Sequence, residues 1–413
     1  MSSKVQAMTD IERRNLLKLG STASSPIGDE WADWWRHYLR DGNLPTVAGM
    51  PPLKLVDLFC GAGGFGLGAT LAARALGYRA HFERVVDADA DALAVYKSNL
   101  SVGRAFSNPV SSFVDYQFRN RHGVHEFSYP PEIVVPEFEL KSSPDLLIAG
   151  PPCQGHSNLN NHTRRDDPRN DLLFCTVAIG VALGARSIVI ENVAAIEKAK
   201  GNPLEVAKEL LASEGYQVAG QAVSADSFGW PQTRKRYFLT AIRDADKPVK
   251  ISDCVISNPE NVMWAIGDLV ELQNGVPVFD EAPQQNEQNR ARIEWLFDND
   301  EYNLPNSERP DCHKNGTTYS AVYGRMRADR PAPTITTGFG TPGQGRFIHP
   351  SQRRLITPHE AARIQGFPDS FKFFKPGEMP TRKNLAKWIG DAVPSFLGFH
   401  VCREVLKSLK PED

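Results

Sequence analysis

Residues 53–66 are Leu-Lys-Leu-Val-Asp-Leu-Phe-Cys-Gly-Ala-Gly-Gly-Phe-Gly, a short apolar run followed directly by a glycine-rich loop. The run Leu53–Leu58 is typical of a buried strand. The spacing Gly-x-Gly-x-x-Gly after a strand lets the backbone approach a nucleoside ligand closely, although a tight structural turn can have the same glycines. This segment therefore predicts a nucleoside-binding loop at the end of the first strand of a sheet.

Three more short apolar runs end in polar residues. Phe82–Val86 precedes Asp87-Ala88-Asp89, Asp145–Ala149 precedes Gly150-Pro151-Pro152-Cys153-Gln154, and Ser187–Ile190 precedes Glu191-Asn192-Val193. Separated by helical stretches, such runs predict the buried strands of a parallel, doubly wound α/β sheet. Ligands bind at the carboxyl ends of these strands, so the four polar segments are expected on one rim. A glycine loop, an acidic pair, a cysteine and a glutamate on one rim predict an enzyme.

The composition is that of an ordinary globular protein. The 413 residues are 41% apolar and 23% charged, enough for two domains. The sequence has no apolar run of roughly 18–20 residues and no secretion signal, so we expect a cytoplasmic protein with no membrane partner. Its six cysteines include no Cys-x-x-Cys pair, so no metal site is expected. The net charge of −2 leaves nucleic-acid binding open, with any basic surface local.

The alternation of strands and helices suggests the domain boundaries. Residues 51–243 form the predicted first domain, and residues 384–413 regain helical periodicity and are expected to complete it. Residues 244–383 consist of short polar segments rich in proline and asparagine. This composition predicts a smaller, irregular second domain. Residues 1–50 are an N-terminal extension, in which a helix with three tryptophans is expected to pack onto the main body. The tryptophans are Trp31, Trp34 and Trp35.

Cys153 is the candidate nucleophile. Pro151 and Pro152 stiffen the loop before it and fix the direction in which the thiol projects. A buried structural cysteine is the commoner fate of this residue type. A cysteine in a polar loop beyond a strand end, with Glu191 on the same rim, nevertheless matches a nucleophile with a proton donor.

With these motifs, the chain resembles the bacterial-type DNA (cytosine-5-)-methyltransferase family over roughly residues 53–402. Asp57–Gly64 resembles the cofactor loop, Gly150–Ser157 the nucleophile loop, and Glu191-Asn192-Val193 the motif of the catalytic glutamate. The remaining matches follow in the family's order. They are Asp87, Asp89 and Tyr96; Asp167-Pro168-Arg169-Asn170 with Leu172; Gln232-Thr233-Arg234-Lys235-Arg236; Arg330–Thr336; and Gly390–Pro394.

The resemblance implies a Rossmann-like S-adenosylmethionine-dependent methyltransferase sheet, with a target recognition domain as the second domain. S-adenosylmethionine is the implied cofactor and double-stranded DNA the implied partner of a monomer, with a cognate restriction endonuclease as a further candidate partner. The implied catalytic residues are Cys153, Glu191, Arg234 and Arg236. The implied cofactor-binding residues are Phe59, Gly61, Ala62, Gly63, Gly64, Asp87, Ala88, Pro151, Asp391 and Ala392.

The mechanism implied by the resemblance is methyl transfer to carbon 5 of a cytosine flipped out of the duplex. Cys153 adds to ring carbon 6, Glu191 protonates or hydrogen-bonds ring nitrogen 3, and Arg236 contacts the base carbonyl. Arg234 supports either the site or a phosphate. Basic loops are expected to hold the DNA backbone. Their arginines are Arg164, Arg165, Arg169, Arg325, Arg327, Arg330, Arg346, Arg353 and Arg354.

Three positions depart from the family's pattern. His156 replaces the usual Phe, Asp391 replaces the usual Asn, and the third motif has no assignable residue around Ser107–Val110. Asp87 also stands where the family usually has Glu.

Four other functions were weighed. A dehydrogenase-like nucleotide binder leaves the Pro-Pro-Cys-Gln and Gln-x-Arg-x-Arg segments unexplained. A methyltransferase of exocyclic amines would require Asp/Asn-Pro-Pro-Tyr/Phe in place of Gly150–Cys153. An RNA (tRNA) cytosine-5 methyltransferase is a closer rival, but the long segment between Arg243 and Arg330 favours DNA. A non-catalytic DNA-binding paralogue is opposed by the intact Cys153 and Glu191.

Overall fold

The computed structural model describes residues 30–42, 49–152, 171–251, 258–271, 275–314, 321–374 and 378–409. The helices are α1 Glu30–Asp41, α2 Gly64–Ala75, α3 Ala90–Asn99, α4 Asp171–Ala182, α5 Pro203–Ser213, α6 Val262–Ile266, α7 Glu287–Asp298, α8 Pro358–Ile364, α9 Arg382–Gly390 and α10 Ser395–Lys407. The strands are β1 Pro52–Leu58, β2 Arg79–Val86, β3 Val102–Phe106, β4 Val114–Asp115, β5 Phe118–Arg121, β6 Val124–Phe127, β7 Glu132–Ile133, β8 Leu146–Ala149, β9 Ser187–Val193, β10 Tyr216–Ser224 and β11 Lys235–Arg243. Among these described helices, none is long and apolar enough to span a bilayer.

Seven strands form one sheet in the order β10-β11-β9-β8-β1-β2-β3. The strands from β9 to β3 are parallel to one another, whereas β11 is antiparallel to both β9 and β10. The predicted α/β sheet is confirmed. The chain runs from β1 outward to β3 and then returns to β8 on the other side of β1. This reversal creates a crevice beyond the carboxyl ends of β1 and β8, which is where open α/β sheets bind ligands.

The central strands are apolar because helices cover both faces of the sheet. Leu55, Leu146 and Val189 belong to a core on one face, together with α2 and α10. Val56 and Ile188 belong to a second core on the opposite face, beneath α4 and α5. Both faces are therefore dry, and polar side chains of these strands reach water mainly at the strand ends.

Two features differ from the sequence-based expectation. Between β3 and β8 the regular alternation is interrupted by two small antiparallel sheets, β4 with β7 and β5 with β6. Strand β9 does not end at Ile190 but continues through Val193, because β11 pairs with it along that length and Phe238 lies opposite Glu191. Glu191 therefore projects from a strand within the sheet rather than from a loop beyond it.

The C-terminal helix α10 packs directly on α2, the helix that follows the glycine loop. A β-carbon on Gly68 would lie 2.4 Å from the Ser395 carbonyl oxygen and 2.7 Å from the Phe399 amide nitrogen. The two backbones can approach this closely only because Gly68 has no side chain. This contact brings the end of the chain to the rim of the sheet.

Helix α1 packs onto the body of the protein, as predicted for the three tryptophans. Trp35 is 1% exposed, and its ring centroid lies 5.3 Å from that of Trp230 and 5.1 Å from that of Phe396. The end of α1 also contacts the second half of the chain, since the Asp369 amide donates to the Leu39 carbonyl at 2.8 Å. Helix α1 is thus part of the core. Residues 1–29 and 43–48 of the predicted extension lie outside the described residues.

The second half of the chain, from residue 258 to α9, contains mainly short helices, 3₁₀ turns and loops. Its 3₁₀ turns are Gly267–Glu271, Asn306–Glu308, Asp311–His313 and Pro342–Gln344. Side-chain hydrogen bonds replace much of the regular backbone pairing here. The buried His349 is one example, because its Nδ1 accepts from the Ser351 and Gln352 amides at 3.1 and 3.0 Å. Burial lowers the pKa of His349 to about 4, although the nearby Glu360 opposes the shift.

This lowered pKa predicts a pH dependence of stability. Below the unfolded-state pKa of 6.5, the unfolded chain binds a proton at His349 that the native protein does not bind until about pH 4. The free energy of unfolding contributed by His349 should therefore be present above pH 6.5 and be lost as the pH falls from there toward 4.

Urea unfolding at several pH values measures this loss. His349→Asn keeps an acceptor near the position of Nδ1 and removes the titration, so its stability should fall less steeply than that of the wild type over the same pH range. His122→Asn, at an exposed turn, is the matched control and should follow the wild type. Parallel pH profiles for His349→Asn and the wild type would contradict the assignment.

Candidate active site

The expected rim forms at the carboxyl ends of β1, β2 and β8, with Glu191 on the neighbouring β9. The Cα atoms of Leu58 and Ala149 are paired, so the glycine loop and the start of the Gly150-Pro151-Pro152 segment lie side by side. The Gly150 amide donates to the Leu58 carbonyl at 3.3 Å. Pro151 is buried and Pro152 is exposed. Cys153, His156 and the arginines at 164, 165 and 169 lie outside the described residues.

The glycine loop turns sharply through left-handed backbone conformations. Phe59 has φ 56°, Gly61 φ 50° and Gly63 φ 103°, and such values favour glycine and strain a phenylalanine. A β-carbon on Gly64 would lie 2.5 Å from the Val393 carbonyl oxygen, whereas one on Gly61 would meet no described atom within 4 Å. Gly64 is therefore needed for packing, while Gly61 borders open space.

Asp87 joins the glycine loop to the acidic segment after β2. Its Oδ2 accepts from the Gly61 amide and its Oδ1 from the Asp89 amide, both at 2.8 Å. Asp89 in turn caps α3, accepting from the Asp91 and Ala92 amides at 3.0 and 3.1 Å. The acidic pair thus holds the shape of the rim, and the half-buried Asp87 has lone pairs left for a ligand.

Asp57, near the end of β1, lies beneath the glycine loop. Its side chain is fully buried, and Oδ2 accepts from the Tyr96 hydroxyl at 2.9 Å. Burial raises the pKa of Asp57 well above its ordinary value, although the Tyr96 hydrogen bond opposes the shift. A β-carbon on Gly66 would lie 2.3 Å from that hydroxyl, so the last glycine of the loop makes room for the pair.

Glu191 and the two arginines of the Gln-x-Arg-x-Arg segment meet on the other side of the crevice. Arg236 Nε lies 2.9 Å from Glu191 Oε1, with both side chains largely buried. Arg234 is 3% exposed, and its Nη1 donates to the Ile335 carbonyl at 2.7 Å and to the Gly390 carbonyl at 3.4 Å. The antiparallel pairing of β11 with β9 brings these residues together.

The electrostatics of this group follow from burial. Burial raises the pKa of Glu191, while Arg236 and Arg234 work in the opposite direction. Burial and the neighbouring Arg236 lower the pKa of Arg234 well below its ordinary value. A carboxyl held between these influences can gain or lose a proton with less change in free energy than an ordinary glutamate near neutral pH.

Gly150 links the two sides of the crevice. A β-carbon there would lie 3.8 Å from Glu191 Oε2 and 3.7 Å from a methyl group of Val393. The structure therefore brings together Phe59–Gly64, Asp87, Pro151, Glu191 and the segment that ends in Ala392. Cys153 lies outside the described residues, so its proximity to Glu191 stays a prediction.

Sequence reasoning missed Lys387, whose Nζ lies 2.6 Å from Asp89 Oδ2. This ion pair joins α9 to the acidic segment after β2. The hydrogen bond that Lys387 donates to Asp89, together with the charge of that carboxylate, raises the pKa of Lys387 although partial burial opposes the shift. The only signal in the sequence was the helical spacing, because Lys387 lies one turn before Asp391 and shares its face of the helix.

Several arginines expected to face DNA instead make contacts within the protein. Arg325 Nε donates to the Pro350 carbonyl at 2.9 Å, and its guanidinium lies 3.9 Å from the ring centroid of Phe297. Arg346 donates to the Tyr302 and Arg325 carbonyls at 2.8 and 2.9 Å. Arg354 forms a bidentate pair with Glu360. Arg353 is exposed but pairs with Asp298 at 2.6 Å, and Arg330 is exposed.

Comparison with known proteins places this geometry in context. The family model described as C-5 cytosine-specific DNA methylase matches residues 53–407. The type II methyltransferase M1.BsuMI of Bacillus subtilis (strain 168) is 39% identical over 407 residues, covering 97% of this chain and 88% of that protein. The type II methyltransferase M.DdeI of Desulfomicrobium norvegicum is 27% identical, covering 84% of this chain and 86% of that protein.

Solved structures share the fold. A protein from an E. coli prophage, assigned as a DNA modification methyltransferase, has a TM-score of 0.55 at 22% identity, covering 86% of this chain and 99% of that one. The Dnmt2 methyltransferase of S. pombe has a TM-score of 0.53 at 18% identity, covering 86% and 98%. At these identities the likeness concerns the fold alone.

The Asp57–Tyr96 contact predicts a stability effect. Tyr96→Phe removes the hydrogen bond to a fully buried carboxyl, which should lower the free energy of unfolding by about 1–3 kcal/mol. Urea unfolding measures the change. Tyr78→Phe, at a side chain 40% exposed, is the matched control and should change little. Equal effects of the two substitutions would show that the buried contact does not stabilise the fold.

Proposed function

The chain belongs to the C-5 cytosine-specific DNA methylase family, and on that premise we propose that it methylates carbon 5 of a flipped-out cytosine through a covalent Cys153 adduct. The observation that carries the proposal is the placing of Gly150, where the Pro-Pro-Cys loop begins, against Glu191 and Val393. The glycine loop, which is proposed to bind the cofactor, and the Glu191–Arg236 pair thus lie on either side of the start of the proposed nucleophile loop.

The residues of the rim fit S-adenosylmethionine. No described atom lies within 4 Å of a β-carbon placed on Gly61, and the Asp87 carboxylate beside it suits the hydroxyl groups of a ribose. We propose that Phe59, Gly61–Gly64, Asp87, Ala88, Pro151, Asp391 and Ala392 hold this molecule. Asp391 and Ala88 are exposed, and Ala392 is half-buried. When bound, S-adenosylmethionine supplies an electrophilic methyl group.

We call the side of the crevice with Glu191 and the two arginines the base side. The cytosine bound there would be activated by addition of a thiolate to its ring. Carbon 5 is a poor nucleophile while the ring is aromatic. Addition of the Cys153 thiolate to carbon 6 removes that conjugation and moves electron density toward carbon 5. After the methyl group joins carbon 5, loss of the proton from that carbon restores the double bond and expels the thiolate.

Glu191 and the arginines would stabilise this addition. A proton or hydrogen bond from Glu191 to ring nitrogen 3 offsets the charge that develops there, and the raised pKa of Glu191 from burial favours the protonated carboxyl. Arg236, held by Glu191 at 2.9 Å, is proposed to contact the base carbonyl. Arg234, fixed by two backbone carbonyls, would keep Arg236 and the 389–392 turn in position.

Within the second domain and hinge, residues 244–383, the segment 244–345 is proposed to select the DNA sequence, while residues 51–243 with 384–413 carry out the chemistry. Base-edge contacts give specificity, whereas phosphate contacts only position the duplex. The names of its relatives M1.BsuMI and M.DdeI, both type II methyltransferases, support a role in a restriction–modification pair with a cognate endonuclease.

Transfer of a tritiated methyl group tests the substrate directly. The purified protein should label double-stranded DNA and leave tRNA unlabelled, with methylcytosine as the product after hydrolysis. Labelled tRNA with unlabelled DNA would favour the RNA alternative. Absence of transfer to either, with DNA still bound, would favour a non-catalytic DNA-binding protein.

Covalent trapping tests the nucleophile. DNA that contains 5-fluorocytosine should form a stable adduct with the wild type, because fluorine cannot leave carbon 5 as a proton does. Cys153→Ser should form no adduct and show no turnover, since a hydroxyl is a far weaker nucleophile than a thiolate. Denaturing gel shift detects the adduct. Cys175→Ser, at a buried cysteine of α4, should still be trapped. An adduct with Cys153→Ser would exclude Cys153 as the nucleophile.

Substitution of the glutamate separates its two candidate roles. Glu191→Gln fills the same space but cannot deliver a proton, so kcat should fall about 10²- to 10⁴-fold while affinity for S-adenosylmethionine is kept. Calorimetry measures that affinity. Glu197→Gln, at an exposed carboxylate six residues away, should be fully active. Loss of cofactor binding together with activity would make Glu191 a cofactor ligand instead.

A further inference from the structure

Two buried glutamines outside the proposed active site are hydrogen-bonded to each other. Gln365 follows α8 and Gln232 precedes β11, and both are fully buried. Gln232 Nε2 donates to Gln365 Oε1 at 3.1 Å. Gln365 Nε2 donates to the Ile389 carbonyl at 2.6 Å and to the Ala392 carbonyl at 3.1 Å. The Gln365 amide therefore uses both of its hydrogens and its oxygen within the protein.

Gln365 and the next residue hold the turn that leads from α9 into α10. Besides the two bonds from the Gln365 side chain, the Ser395 amide donates to the Gln365 carbonyl at 3.2 Å. The Ser395 hydroxyl donates to the Gly366 carbonyl at 2.6 Å. The turn is thus fixed at both of its ends from one point at the end of α8. The same turn touches the glycine loop, because Gly64 meets the Val393 carbonyl.

Gln232 connects this turn to the segment with the two arginines, which leads into β11. It lies two residues before Arg234, whose Nη1 donates to the Gly390 carbonyl at 3.4 Å. The carbonyls of Ile389 and Ala392 therefore accept from Gln365, at the end of α8, and the carbonyl of Gly390 accepts from Arg234. Any displacement of the turn would be transmitted to Arg234 and, through β11, to Arg236.

We propose that Gln365 is a positioning residue, which fixes the 389–392 turn on the cofactor side relative to the 232–236 segment, which contains Arg234 and Arg236. Its amide acts through Ile389, Ala392 and Gln232. Buried hydrogen bonds of this kind define one arrangement, because an unpaired amide or carbonyl inside the protein is costly. The inference rests on the proposed function, since it takes the turn as part of the S-adenosylmethionine site and the arginines as part of the cytosine site.

Gln365→Met tests the inference, because methionine has a similar volume and cannot donate to the two carbonyls. The affinity for S-adenosylmethionine, measured by calorimetry on the folded variant, should fall about tenfold, as expected for the loss of two hydrogen bonds. The affinity for DNA without cofactor should stay within about twofold of the wild type, since no DNA contact is removed. Gln217→Met, at an exposed position of β10, is the matched control and should change neither affinity.

Gln232→Met provides a second variant, because it leaves the two bonds from Gln365 to the turn in place. It should keep the cofactor affinity of the wild type and lower kcat, since only the link to the segment with the two arginines is lost. Gln365→Met with unchanged cofactor affinity, or Gln232→Met with cofactor affinity lost and kcat unchanged, would overturn the inference. Failure of the proposed function would differ, because the wild type itself would then bind no S-adenosylmethionine or transfer no methyl group.

Discussion

The contact of α2 with α10 and with the turn before it leaves no room for a side chain at two glycines of α2. At Gly68 a β-carbon would lie 2.4 Å from the Ser395 carbonyl oxygen, and at Gly64 it would lie 2.5 Å from that of Val393. Glycine at these positions lets the last helix of the chain reach the first helix after the glycine loop. As a result the 389–393 turn, although distant in sequence, forms one wall of the crevice beside Gly150.

On the side of the crevice where the cytosine is proposed to bind, two guanidiniums, those of Arg234 and Arg236, face a single carboxyl, that of Glu191. Glu191 is ion-paired with Arg236, while the buried Arg234 donates to the carbonyls of Ile335 and Gly390. Buried ion pairs contribute little net stability, because the loss of hydration offsets their attraction. The Glu191–Arg236 pair is therefore weak evidence for stability, which agrees with the role in the reaction proposed for Glu191 above. A carboxyl whose pKa is raised by burial and restrained by two guanidiniums suits reversible proton exchange with a bound base.

The sequence predicted the features that local pattern controls. Apolar runs located the ends of β1, β2 and β8, and the glycine spacing located the loop that Asp87 joins at 2.8 Å. It did not predict that β9 extends through Val193, because that extension depends on pairing with β11. Lys387 and Gln365 were missed for the same reason: the partners of each lie far away in sequence, and a lone lysine or glutamine has no local signature. Assignment of Cys153 stays a prediction from the motif.

The second domain shows why a count of arginines overstates a DNA-binding surface. Arg346 donates to backbone carbonyls and Arg354 donates to Glu360. Both lie in a domain with little regular backbone pairing. Cations used in this way hold loops in shape and are unavailable to release counterions from phosphates. Arg330 differs, since it is exposed and its carbonyl accepts from the Val262 amide at 2.9 Å while its side chain faces solvent. It also begins the segment whose Ala332 bridges to Gln232, two residues before Arg234. Arg330 is thus an arginine of the second domain whose charge stays at the surface, next to a segment that pairs with Gln232, whereas Arg346 and Arg354 are committed to contacts within the domain.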